Sequence, residues 1–73
     1  MTEEYNALLQ KTNILKDEIV KLENHIEASR QFQGEDMYEI LMGTTKTILE
    51  RKQQELSEVI SQIEEMKINI ENN

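Results

Sequence analysis

Apolar residues recur along this chain in alternating steps of three and four, and the pattern is interrupted once, at residues 33–36. Such a seven-residue repeat is typical of a helix that packs against another helix along one stripe. Because the interruption is too short to connect parallel neighbours, it predicts two helices packed antiparallel. We therefore predict an all-α fold, an antiparallel two-helix coiled-coil hairpin forming one domain over residues 1–73. Its helix 1 spans about 2–33, its turn 33–36 and its helix 2 about 36–71.

The predicted contact stripe, or seam, consists of the heptad positions a and d. In helix 1 these positions hold Tyr5, Leu8, Thr12, Leu15, Ile19, Leu22, Ile26 and Ser29. In helix 2 they hold Tyr38, Met42, Thr45, Leu49, Lys52, Leu56, Val59, Ile63, Met66 and Ile70. Two registers are compatible with this set. One places Thr12 against Lys52. The other places Leu15 against Leu56 and Leu8 against Ile63, and we favour it because it pairs more apolar residues.

The helix ends and one internal glycine leave local questions open. Gly34 can adopt the left-handed conformation that ends helices, and Asp36 with Glu39 resembles a capping box that would begin helix 2. Gly43 lies inside helix 2, where glycine costs about 1 kcal/mol relative to alanine. We expect a continuous or kinked helix there, because residues on both sides keep the same heptad phase. The alternative is a break at Gly43 and a new helix beyond it.

Composition narrows the classes of function. The net charge is −7, and residues 34–73 carry nine acidic and four basic side chains without a basic stripe. Direct binding to nucleic acid or to an anionic membrane is therefore not expected. The chain has no cysteine, so a disulfide or thiolate metal site is excluded. The acidic start of the chain does not resemble a secretory signal and no apolar run could span a bilayer, so we expect a cytoplasmic protein.

The sequence offers no convincing chemical site. His25 is the single histidine and lies beside the seam, where a solvated side chain is the simplest interpretation. The carboxylate pairs at helical spacing, such as Glu23 with Glu27, are expected on solvated faces. Two helices also provide no concave pocket or phosphate loop. We therefore expect no catalysis, no cofactor, no metal and no small-molecule substrate.

Apolar residues outside the seam indicate where another protein could bind. A hairpin this small buries little apolar surface, so self-association is a physical remedy, and we expect a homodimer that forms a four-helix bundle. The predicted partner-binding residues are the e and g apolar residues Leu9, Leu41, Ile48 and Ile60, with the acidic residues Glu55, Glu58, Glu64 and Glu65. The favoured function is a non-catalytic protein–protein interaction module, a coiled-coil adaptor or scaffold. The alternative is a small acidic inhibitor or antitoxin-like regulator that binds a basic site on a target protein.

Overall fold

The fold is a helical hairpin, as the heptad pattern predicts. A computed structural model describes the backbone of residues 2–72 and the side chains of residues 3–69. Helix α1 spans Thr2–Ser29, one turn of 3₁₀ helix follows at Arg30–Phe32, and helix α2 spans Tyr38–Asn72. The two helices pack against each other along their length and form a rod of 58 × 14 × 13 Å. The described residues contain no strand.

The turn differs in detail from the prediction. The N–H of Gln33 donates to the carbonyl of Arg30 at 3.1 Å, and that of Tyr38 donates to Glu35 at 3.0 Å. These hydrogen bonds join residues three apart, as in a turn, and they include the segment where helix 2 was expected to begin. Helix α2 begins at Tyr38, and the carbonyl of Met37 accepts the first helical hydrogen bond, from Leu41 at 3.1 Å. The residue at the cap position is therefore Met37, one residue after the predicted Asp36. Gly34 has a φ of 102°, which confirms that this glycine supports the reversal of the chain.

Helix α2 is continuous through Gly43, which settles the question of a break. The helix runs from Tyr38 to Asn72, and among the described residues only Gly34 has a positive φ. The hydroxyls of Thr45 and Thr47 donate to the carbonyls four residues earlier, at 3.0 and 2.9 Å. The β-branched residues after the glycine therefore satisfy their polar groups within their own helix.

Burial follows the predicted seam closely. Every predicted a and d residue whose side chain is described is buried or half-buried, whereas Ile70 lies outside the described side chains. The tightest cluster is formed by Leu15, Val59 and Ile63, which are 3–7% exposed, and Leu8 and Leu56 pack against it. This cluster is consistent with the register that places Leu15 against Leu56 and Leu8 against Ile63.

Candidate interaction surfaces

The four apolar residues predicted to bind a partner are all exposed. The exposed fraction is 38% for Leu9, 58% for Leu41, 41% for Ile48 and 37% for Ile60. They do not, however, form one surface. Leu41 and Ile48 occupy g positions of α2, whereas Leu9 and Ile60 occupy e positions. In an antiparallel pair the g positions of both helices share one flank and the e positions share the other. The predicted surface therefore divides into two.

Ion pairs identify the g flank directly. Lys11 Nζ lies 3.3 Å from Glu55 Oε1, and both residues occupy g positions of opposite helices. Lys52 Nζ lies 2.9 Å from Glu18 Oε2 on the same flank. The hydrogen bond from Lys52 to Glu18 raises the pKa of the lysine, partial burial opposes this, and the charges of Glu18 and Glu55 add to the rise. The lysine at a seam position is thus neutralised by a carboxylate of the other helix.

An apolar groove lies on the g flank at the turn. It encloses about 440 Å³ between Phe32, Met37, Leu41 and the seam residue Met42, with His25 at its edge. Phe32 remains 47% exposed, so it lines this groove and does not close it. Leu41 is one of the partner-binding residues predicted from the sequence, whereas Met37, whose side chain is 58% exposed, is not.

A second groove follows the outer face of α2, on the side away from α1. It encloses about 470 Å³, and its centre is formed by the small residues Gly43, Thr44 and Thr47 between Ile40 and Ile48. Ile40 is 64% exposed. The sequence contains a signal for this face, because apolar and small residues repeat there in steps of three and four, parallel to the seam. This second stripe is hard to recognise in the sequence, because threonines and a glycine occupy several of its positions.

A third groove lies on the e flank. Ile60 lines it together with the seam residues Ile19 and Leu56 and the polar residue Gln53. This groove is distant from the turn and belongs to the half of the hairpin that holds the core cluster. Ile60 is therefore a candidate contact residue separate from Leu41 and Ile48.

The predicted acidic residues differ in exposure and in whether a basic side chain pairs with them. Glu55 is half-buried and bound to Lys11, so its charge is already neutralised in part. Glu58, Glu64 and Glu65 are exposed, and none of them joins an ion pair among the described side chains. Glu58 accepts one hydrogen bond, from Gln54 Nε2 at 3.3 Å. Three of the four carboxylates therefore face solvent with their charge available.

The described part of the chain holds no cluster of three or more histidine, cysteine or acidic side chains placed to bind a metal ion. Between residues 2 and 72 no helix has the length and apolar character needed to cross a membrane. Comparison of the chain with protein-family models, with curated proteins and with solved structures found no match in any of the three.

Proposed function

We propose that this hairpin is a non-catalytic protein–protein interaction module, a coiled-coil adaptor or scaffold that self-associates as a dimer with four helices. The observation that carries the proposal is the imbalance of apolar side chains. Among the side chains that the structure describes, ten large apolar residues are exposed, whereas five apolar residues are buried. Scattered exposed apolar residues are ordinary, but here six of the ten line grooves on three faces of a rod with a thin core.

The total accessible area supports the same proposal. The hairpin exposes 5818 Å², and a compact monomer of 8.6 kDa would expose about 4,700 Å². The excess is thus about 1,100 Å². A standard protein complex buries about 800 Å² on each partner. Covering one face of the rod with another protein would therefore bring the exposed area to that of an ordinary compact domain.

Self-association is tested by sedimentation equilibrium and by thermal unfolding over a hundredfold range of concentration. We expect a dimer at micromolar concentration and a melting temperature that rises with concentration, because association stabilises only the folded chain. Replacing Ile48 with aspartate should weaken association at every salt concentration. A folded monomer at high concentration would exclude the self-associating scaffold.

The alternative, an acidic inhibitor or antitoxin-like regulator, is favoured by a separate observation. The carboxylates of Glu58, Glu64 and Glu65 are exposed on α2 and are not neutralised by a neighbouring lysine or arginine among the described side chains. Such charges accelerate association with a basic partner and lose this effect in salt.

This alternative is tested by tagged pull-down from the native host at low and high salt. A regulator should retain one target in stoichiometric amount at low salt, and Glu58→Lys with Glu65→Lys should abolish that capture. The matched control is Glu23→Lys with Glu35→Lys, which changes charge equally at exposed positions near the turn, away from Glu58 and Glu65. Capture that survives high salt and both charge reversals would instead indicate binding through apolar residues.

A further inference from the structure

We propose that a second copy of this chain packs on the outer face of α2, antiparallel to it, about a two-fold axis that passes near Gly43 and Thr44. We call this surface the Gly43 face. It consists of Ile40, Gly43, Thr44, Thr47 and Ile48 of the outer groove, together with Met37 and Leu41 of the adjoining groove at the turn. Glu39 also lines the outer groove, and Lys46 occupies the equivalent e position one heptad later. This inference rests on the proposed self-association and names the surface that performs it.

The shape of the Gly43 face fits a close helix contact. Glycine is a poor residue for a helix interior, yet Gly43 has no packing role inside the hairpin. A Cβ atom built on it meets no other atom within 4 Å, so the position opens onto empty space. The hydroxyls of Thr44 and Thr47 donate to carbonyls of their own helix at 3.4 and 2.9 Å. A neighbouring backbone can therefore approach this small-residue centre without leaving those hydroxyls unpaired.

Exposed apolar side chains surround that centre. Ile40, Leu41 and Ile48 are 41–64% exposed; Ile40 and Leu41 precede the small-residue centre, and Ile48 follows about two turns later on α2. An antiparallel partner turned about the proposed axis places Ile40 of one copy near Ile48 of the other, on both sides of the axis. Two-fold contacts require such a self-complementary patch, because each residue pair occurs twice.

The charges at the edge of the face are also self-complementary. Glu39 and Lys46 both occupy e positions, seven residues apart on the same edge of α2, so about 10 Å separates them along one helix. Neither belongs to an ion pair among the described side chains. Antiparallel pairing sets Glu39 of one copy beside Lys46 of the other. Each interface would therefore contain this opposite-charge pair twice.

The location of the acidic residues favours a copy that overlaps only the first part of α2. Between residues 37 and 51 the helix carries two acidic and two basic side chains, so this part is neutral. Its free carboxylates Glu58, Glu64 and Glu65 come later. In the antiparallel arrangement that acidic half extends past the turn of the other copy. Two chains of net charge −7 can then associate while their most acidic segments point in opposite directions.

A charge exchange tests the pairing. We expect Glu39→Lys alone and Lys46→Glu alone each to raise the dimer Kd about tenfold at low salt, because like charges would then face each other. The double exchange, Glu39→Lys with Lys46→Glu, should restore the wild-type Kd within about threefold. Contact within one helix cannot produce this restoration, because the two positions lie two turns apart.

A bulky substitution at the centre of the Gly43 face is a second test of the proposed contact. Gly43→Leu should abolish dimerisation measured by sedimentation, while circular dichroism at the same dilution shows an intact helical monomer, because the new side chain meets open space. Ala7→Leu adds comparable bulk at an exposed position of α1 and should leave the dimer unchanged. A wild-type dimer that tolerates Gly43→Leu and both single charge changes would overturn the Gly43 face but leave self-association standing. A monomeric wild type would instead overturn the self-association on which the face depends.

Discussion

Replacing Gly43 with alanine should stabilise the isolated hairpin. The position is helical, its φ is not positive, and a Cβ there meets no atom within 4 Å, so no strain or clash opposes the change. Helix propensity alone then acts, and it favours alanine by about 1 kcal/mol, in part by restricting the unfolded chain. For a domain of this length, that free energy raises the melting temperature by about 6 °C.

The measurement is thermal and urea unfolding followed by circular dichroism, at a dilution where the chain is monomeric. Working at dilution separates helix propensity from any effect of the new methyl group on dimerisation. Gly34→Ala is the matched control, because it makes the same chemical change at the residue with a φ of 102°. That variant should lose about 1 to 2 kcal/mol, since alanine disfavours positive φ. Loss of stability in Gly43→Ala under these conditions would refute the argument from propensity.

Three further changes test the seam. Cysteines at Leu8 and Ile63 should form an intramolecular disulfide, whereas cysteines at Leu8 and Leu56 should not, because the two pairings differ by one heptad, which is about 10 Å along the helix axis. Mass spectrometry after proteolysis detects either disulfide, and the opposite result would establish the other register. Leu15→Ala should lower the free energy of unfolding by about 2–5 kcal/mol in urea titrations, and a change near zero would contradict its place in the core. The wild-type hairpin should lose stability at alkaline pH, and the Lys52→Leu variant should lose less. The wild-type lysine stabilises the fold while charged, fully so below its ordinary pKa, and loses this as pH rises through the raised pKa of the folded state; unfolding curves with equal alkaline loss in both proteins would contradict the ion pair.

The seam was predictable because the spacing of residues in a helix determines directly which side chains share a face. Even Thr12 and Ser29, polar residues counted as seam only by their position, are buried. The start of α2 was not predictable in the same way. Asp36 and Glu39 match a capping pattern, but the chain direction after Gly34 and the hydrogen bonds of the turn decide where helical bonding begins.

The candidate surfaces were predictable residue by residue but not as surfaces. Exposure of Leu9, Leu41, Ile48 and Ile60 follows from their e and g positions, and the structure confirms it. Their division between two flanks depends on how the two helices pair. A list of exposed positions does not contain that information. Ile40 occupies neither a seam position nor an e or g position, so the heptad pattern alone assigns it no contact; its significance depends on the open space beside Gly43.

The uneven packing of the seam has a consequence for how the hairpin opens and closes. The tightest cluster joins Leu15 to Val59 and Ile63, near the middle of the rod. Toward the turn, Ile19 and Met42 are buried while Leu22 and Leu49 are half-buried, and toward the open end the seam residues Tyr5, Leu8 and Met66 are all half-buried. Forming the central cluster closes a long loop, so its contacts carry a larger loop-closure entropy than those beside the turn. Once the hairpin is folded, amide hydrogens around the cluster should exchange slowest, and protection should fall from there toward both ends of the rod.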